Sequence, residues 1–292
     1  MPELPEVESV KKVIEPKIVG ATIQKVTFSE KVELGKSTGK ETIIKGSSLS
    51  LFKERTEHYK IMSVYRRSKY IFMEIDNGEN SNVMMCHFGM TGAFFTVPDL
   101  SHIEVDNHRK HWHVIFELDN GLQLIYTDIR RFGELRALED LSEYPSVLKI
   151  APEPFVEEAY QHYLNKVMSN KFINKPIKVA ILDHTVISGC GNIYACEALL
   201  RAGVLPMRPV KDLTSKERKA VFDEVVTVLQ EGIDNGGSSI SDYYNADGKK
   251  GTMQEKHRIY GKKVCGQCGG QVLQKVIATR NTHYCPNCQK LV

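Results

Sequence analysis

"KYIFMEIDNGENSNVMMCHF" spans residues 69–88 and sets the architecture of the first half of the chain. Two runs dense in β-branched, aromatic and long apolar residues flank Asp76-Asn77-Gly78, a turn signal that favours a hairpin over a helix. The same texture continues in both directions. Upstream lie ATIQKVTF (21–28) and IMSVYRR (61–67); downstream lie WHVIFEL (112–118) and LQLIYTDI (122–129), separated by a second Asp-Asn-Gly at 119–121. Several short strands at such spacing predict a sandwich or barrel. Ahead of them, Val7, Val10, Val13 and Ile14 recur at helical spacing, with Pro16 and Gly20 placed to kink or end that helix.

Beyond about residue 140 the period becomes helical. PFVEEAYQHYLNKVM, PIKVAILD and NIYACEALLRAG read as helices, the last closed by Gly203. A long helix follows Leu213, where Thr214 and Glu217 have capping-box spacing, and Gly236-Gly237 stop it. The expectation is an α+β protein with an N-terminal β-sandwich behind a leading helix at 1–140. A linker at 141–152 leads to a helical domain at 153–248, and a metal-stapled tail occupies 249–292.

A chain of 292 residues with 41% hydrophobic and 26% charged residues has enough apolar material for two cores. No apolar run reaches membrane-spanning length, and acidic residues occupy the N-terminal positions where a secretory signal is basic, so a cytoplasmic protein is expected. The net charge of +3 is unevenly spread. Residues 249–292 hold nine Lys or Arg against Glu255 alone, a local +8 that leaves −5 for the rest. A basic segment on an otherwise acidic chain predicts a polyanionic partner, against the plainer reading of a solvated surface.

That tail carries CGQC (265–268) and CPNC (285–288), two C-x2-C pairs sixteen residues apart. Four soft ligands from two tight turns suit tetrahedral zinc, and four thiolates leave no open position, so Cys265, Cys268, Cys285 and Cys288 predict one structural Zn2+. The residues between them read as a β-hairpin with Arg280 near its tip. At GCGNIYACEALL (189–200), two glycines and Asn192 precede an amphipathic helix, an arrangement that exposes backbone N–H groups to an anion. Asn192 would either cap that helix or donate to a phosphate; the sequence allows both.

The chain begins MPELPEV. Removal of Met1 would leave Pro2 as a secondary amine next to the Glu3 carboxylate, a nucleophile with its own acid/base partner. The same residues also suit the first turn of an acidic helix.

These pieces together resemble the formamidopyrimidine-DNA glycosylase and endonuclease VIII family of bifunctional base-excision enzymes. The resemblance runs the length of the chain through MPELPEVE, RRSKY (66–70), HFGMTG (87–92), TDIRRFGEL (127–135), GCGNIYACEAL, DGKKG with a later Tyr260-Gly261, and the cysteine-rich tail. It implies that Pro2 attacks C1′ of a damaged nucleotide in duplex DNA and that Glu3 handles the proton that opens the sugar. Lys69 and Arg280 would hold phosphates at the reacting nucleotide. A helix–two-turn–helix motif would carry Asn192 to the backbone, with Lys171, His111 and Tyr260 adding contacts. Met90, Arg130 and Phe132 would fill the void left by an extruded base. Glu6 matches a family glutamate of no assigned role. Leu4 favours the formamidopyrimidine branch and hence oxidised purines, acted on by a monomer.

Five positions depart from the family pattern. Ile129 and Lys250 stand where proline is usual, Trp112 where an acid is common, and Thr252-Met253 where an aromatic-containing pair is expected. Changes in the lesion-capping segment leave open a preference for oxidised pyrimidines. Two other classes compete with the enzyme: a non-catalytic zinc protein that binds DNA lesions, and an RNA-binding zinc ribbon. The first is separated by Pro2, Glu3 and Lys69. The second is disfavoured because Tyr260 and Tyr284 are the only aromatics in the basic tail.

Overall fold

A computed structural model describes residues 2–40, 42–239 and 246–290. By internal contact the chain divides into two units: residues 1–148 with 236–251, and residues 149–235 with 252–292.

The first unit opens with helix α1 (Leu4–Ile18), whose Leu4, Val7, Val10, Ile14 and Ile18 are buried along one face. Pro16 does not end it: the ring removes one i→i−4 hydrogen bond, yet the helix continues and Val19 N still donates to Glu15 O at 3.1 Å. Strand β1 (Ile23–Phe28) is followed by two short helices, α2 (Glu30–Ser37) and α3 (Leu49–Glu54). Then come β2 (Lys60–Arg67), β3 (Tyr70–Asp76), β4 (Ser81–His87), β5 (Gly92–Val97), α4 (Asp106–Lys110), β6 (Trp112–Leu118), β7 (Gln123–Asp128), β8 (Glu134–Leu138) and α5 (Pro145–Leu148).

The strands form two antiparallel four-stranded sheets, β1-β6-β7-β5 and β2-β3-β4-β8. One core joins α1 to residues of both sheets, among them Val26, Ile61, Val64, Ile71 and Phe116. A second cluster of Phe95, Ile103, Ile115 and Ile125 covers the other face of the first sheet. Burial on both faces explains why WHVIFEL and LQLIYTDI are near-continuous apolar runs instead of alternating ones. The sandwich after a leading helix is as the sequence predicts. Helices α2 and α3 interrupt it where only strands are expected.

The second unit holds α6 (Ala159–Val167), α7 (Ile177–Leu182), α8 (Asn192–Arg201) and α9 (Ser215–Asp234), then a hairpin of β9 (Leu273–Ile277) and β10 (Arg280–Tyr284). Every residue of α8 from Tyr194 to Leu200 is fully buried, so this helix is the unit's centre. Thr214 and Glu217 cap α9 reciprocally, as their spacing requires. Cys196 and Leu200 of α8 share a small core with Ile259, Cys265, Val272 and Cys285, which seats the cysteine-rich tail on the helices.

The sequence boundaries group the stretch after α9 with the helices, whereas residues 236–239 and 246–251 pack with the sandwich. Side chains from α1 cause this: Lys17 pairs with Asp247 at 2.5 Å, and Glu6 accepts the backbone N–H of Ser238.

Candidate active site and nucleic-acid interface

Pro2 and Glu3 are both buried ahead of α1, Glu3 with 2% of its surface exposed; Met1, whose removal the chemistry calls for, lies outside the described residues. Glu6, one turn on and 1% exposed, works in two directions. Its Oε2 accepts Glu3 N at 2.8 Å, and its Oε1 accepts Ser238 N at 2.6 Å. A β-carbon at Gly237 would fall 2.8 Å from Glu6 Oε1, and one at Gly251 would fall 2.1 Å from Gly237 O. The foot of the lesion-capping segment is therefore pinched against the start of α1, and only glycine fits. The middle of that segment, residues 240–245, lies outside the described residues.

Lys69 sits half-buried at the turn between β2 and β3, beside Ser68, whose φ of +57° is left-handed. Arg66 secures this turn: its Nη1 donates to Ser68 O at 3.1 Å and its Nε to Glu8 of α1 at 2.7 Å. The lysine is thereby tied to the helix that Pro2 and Glu3 precede. His87 lies close enough to feel the Lys69 charge. Burial, with Lys69 adding to it and Glu134 opposing, pushes the His87 imidazole down to about 4. The ring is neutral at ordinary pH, and its Nδ1 accepts Gly89 N at 3.3 Å, so the proton resides on Nε2, available as a donor. His87 is absent from the sequence expectations, although it heads the HFGMTG motif.

Met90, half-buried, occupies the turn between β4 and β5. Arg130 and Phe132 are exposed on the loop from β7 to β8, with the guanidinium 4.8 Å from the centre of the Phe132 ring, which is 60% exposed. The two loops touch through backbone. A β-carbon at Gly89 would lie 2.3 Å from the Phe132 carbonyl carbon, and one at Gly133 would lie 1.9 Å from the Tyr126 hydroxyl. The glycines beside the trio are thus buried for close approach, and are not themselves exposed tips. His111 ends α4, with Nδ1 bonded to Asn107 O at 2.7 Å and its carbonyl accepting Asp128 N at 3.0 Å.

In the second unit Asn192 is the first residue of α8 and Gly191 takes the cap position, so Asn192 does not cap its helix. Its Nδ2 donates to Asn281 O at 2.9 Å, while its Oδ1 accepts Lys178 Nζ at 2.5 Å. Lys178 is fully buried in α7 and also donates to Thr282 Oγ1 at 2.5 Å. This lysine joins α7, the start of α8 and the hairpin. The sequence points instead to Lys171, which pairs with Asp183 at 2.9 Å and lies 4.6 Å from the Phe172 ring centre. Lys178 hides within PIKVAILD, where a charged residue among apolar ones is the available signal.

Arg280 begins β10 directly after Ala278 and Thr279, both left-handed at φ +47° and +65°. Glu197, fully buried in α8, is likewise absent from the sequence expectations. Its two oxygens accept Arg258 N, Ile259 N and Tyr260 N at 2.9, 3.0 and 2.8 Å. Tyr260 is held by this bond and by an edge-on contact with His283 at 4.9 Å.

The four cysteines suit zinc. Their sulfurs all lie within 4.8 Å of one another, with Cys265 and Cys288 at 4.0 Å and Cys268 and Cys285 at 3.5 Å. Tetrahedral Zn–S bonds of about 2.3 Å place sulfurs about 3.8 Å apart. Gln267 N and Gly270 N each point at a sulfur at 3.4 Å, which favours thiolates.

Comparison with known proteins accounts for this arrangement. Residues 1–135 match the formamidopyrimidine-DNA glycosylase N-terminal domain, 150–244 its H2TH domain, and 262–291 the zinc finger found in FPG and IleRS. Formamidopyrimidine-DNA glycosylase of Heliobacterium modesticaldum is 36% identical over 299 aligned positions, covering 99% of this chain and 100% of that protein. The Bacillus cereus enzyme of that name is 35% identical, covering 99% of both. The chain belongs to the formamidopyrimidine-DNA glycosylase family.

Among solved structures of the family, MutM (Fpg) of Thermus thermophilus superposes with a TM-score of 0.81 at 32% identity, covering 99% of this chain and 98% of that one. Lactococcus lactis Fpg, in complex with DNA containing an abasic site, gives 0.81 at 30%, covering 99% and 100%. The positions that depart from the family pattern have structural homes here. Trp112 packs against the Phe95–Ile125 cluster, serving the sandwich more than His111 beside it. Met253 is fully buried, so the changed pair presents one side chain to the interior, and Lys250 is exposed. Among the described residues no helix is long and apolar enough to cross a membrane.

Proposed function

We propose that this glycosylase excises oxidised purines, 8-oxoguanine and formamidopyrimidines, from duplex DNA and then cuts the strand through an N-terminal proline amine. The observation that carries the reading is the buried Pro2–Glu3 pair, fixed by Glu6 at the start of α1 and tied through Glu8 and Arg66 to Lys69. With Met1 removed, the Pro2 nitrogen attacks C1′, and the base departs with the C1′–N bond. Glu3 protonates O4′ as the ring opens, giving a cationic iminium that acidifies the C2′ protons. Loss of one expels the 3′ phosphate by β-elimination; δ-elimination then expels the 5′ phosphate.

Lys69 and neutral His87 would hold a phosphate at the reacting nucleotide, while Arg280 and the Asn192–Lys178 cluster grip the backbone, with Tyr260, His111 and Lys171 adding contacts. Met90, Arg130 and Phe132 would enter the space left by the extruded base. Zinc supplies the fold of the hairpin that carries Arg280; the chemistry needs nothing from it. The protein would act as a cytoplasmic monomer on damaged duplex DNA.

A second reading keeps the chemistry with a preference for oxidised pyrimidines. It is raised by the departures at Lys250 and Thr252-Met253 in the lesion-capping segment, and a Lactococcus lactis Fpg structure contains DNA with an oxidised pyrimidine. Borohydride reduction with duplexes bearing 8-oxoguanine, dihydrouracil or an abasic site tests both readings. An adduct at Pro2, strongest with 8-oxoguanine, is expected. Stronger trapping on dihydrouracil selects the second reading, and no adduct from protein that lacks Met1 and binds these duplexes leaves a non-catalytic lesion binder.

A further inference from the structure

Asp128 is completely buried, yet both of its carboxylate oxygens serve the loop that carries Arg130 and Phe132. Oδ1 accepts the Thr91 hydroxyl at 2.6 Å and Arg130 N at 3.2 Å; Oδ2 accepts Gly133 N at 2.8 Å. Thr91, 6% exposed, neighbours Met90 in the opposing turn, and its Oγ1 in turn accepts Arg130 N at 2.9 Å. One carboxylate and one hydroxyl therefore join the Met90 turn to both ends of the Arg130–Phe132 loop.

The base of this clasp is itself rigid. Asp128 N donates to His111 O at 3.0 Å, and buried His113, through Nε2, donates to Asp128 O at 2.9 Å. The loop it holds is under strain, since Arg131 is left-handed at φ +57° without being glycine. Nor does packing fix the far side of the loop. Arg130, Arg131 and Phe132 border a cavity of about 430 Å3 reached by Lys31 and Leu34. Finally, Ile129 occupies a position where a proline ring would lock φ, so this chain lacks that restraint. Besides the close backbone approach of Gly89 to Phe132 and Gly133, the hydrogen bonds that Asp128 and Thr91 accept define where the loop stands.

We infer that Asp128 and Thr91 are positioning residues that set the spacing of the Met90 turn and the Arg130–Phe132 loop, and so control how the enzyme fills the duplex after base extrusion and reads the opposite base. They touch neither substrate nor the reacting atoms. The inference rests on the proposed glycosylase reading, and it separates two steps. Filling the void matters only for a base stacked in a duplex, whereas amine chemistry at an abasic single strand needs no filling.

Thr91→Val removes the hydroxyl at nearly constant volume, and Thr91→Ser restores it. Single-turnover excision of 8-oxoguanine opposite cytosine and opposite adenine is measured beside lyase cutting of a single-stranded abasic oligonucleotide. Expected for Thr91→Val is a drop of about tenfold in duplex excision, the size of one lost hydrogen bond to a charged group. The cytosine/adenine preference should narrow, and single-strand cutting should change by less than about twofold, which also shows the variant to be folded. Thr91→Ser should recover most of the duplex rate. Equal losses on both substrates, an unchanged opposite-base ratio, or no rescue by serine would overturn the clasp while leaving the glycosylase reading in place. Wild-type protein inactive on every substrate would remove that reading and the clasp with it.

Discussion

Replacing Glu197 by glutamine tests how the zinc-bearing tail is held. The side chain is fully buried in α8 and accepts three consecutive backbone N–H groups, from Arg258, Ile259 and Tyr260. Glutamine has the same shape but one acceptor oxygen. Turned toward Ile259 and Tyr260, it keeps two bonds, now without the charge, and sets an N–H2 against Arg258 N. One charge-assisted bond is lost and one buried donor is orphaned, a cost of about 3 kcal/mol. For a protein of this size that corresponds to a fall in Tm of about 5–10 °C. Because Ile259 shares a core with Cys265 and Cys285, the same change should loosen the metal. The assay is a thermal melt followed in parallel with zinc release to a chromophoric chelator. Glu197→Gln should release zinc at a lower temperature than the wild type. A melt within about 1 °C of wild type with unchanged zinc retention would refute the account, since three lost or weakened buried bonds cannot be silent.

Cys285→Ser removes a thiolate at a fully buried position; we expect zinc loss, a lower Tm and weaker binding to abasic duplex together, and unchanged affinity would remove the hairpin from the interface. Ala278→Asn with Thr279→Gly supplies residues suited to the two left-handed positions of the hairpin turn and should raise zinc retention by about 1 kcal/mol while preserving affinity through Arg280; no gain would mean the turn stores no strain. His87 yields a pH signature. Its folded pKa of about 4 lies below the usual 6.5, so the unfolded chain takes up the proton first; this contribution is present above about pH 6.5 and lost as pH falls toward 4, at most about 3 kcal/mol. Urea midpoints for wild type and His87→Gln should converge over that interval, and parallel curves would contradict the half-buried, neutral ring.

How much of the fold and site is legible in the sequence follows from the range of the interactions involved. C-x2-C spacing encodes its own chemistry, and both cysteine pairs converge as their sequence demands. The sandwich strands were legible because burial on both faces concentrates apolar and β-branched residues within each run. Helix α2 was not, since Val32 is its only buried residue and EKVELGKS carries no apolar stripe; Ser29 at its cap was the one cue. Lys178 is hidden in the sequence for a different reason. A lysine in a short helix reads as solvated unless its acceptors are known, and these stand 14 and 104 residues away. Conversely, Lys171 looked eligible by sequence and engages Asp183.

Three buried acids share one design. Glu6, Asp128 and Glu197 are buried carboxylates that accept backbone N–H groups from segments bearing the proposed functional side chains. Glu6 holds Glu3 and Ser238; Asp128 holds Arg130 and Gly133; Glu197 holds the stretch through Tyr260. A segment that must present one face to DNA cannot be packed on that face, so apolar burial alone leaves its position poorly defined. A carboxylate accepting two or three N–H groups from behind fixes position and direction together, and it leaves the side chains free. Burying such a group is costly unless its lone pairs are met, so each site tolerates little substitution. An acid surrounded by apolar neighbours, as Glu197 is in NIYACEALL, was therefore the available cue to these anchors, ambiguous until the folded chain supplied the donors.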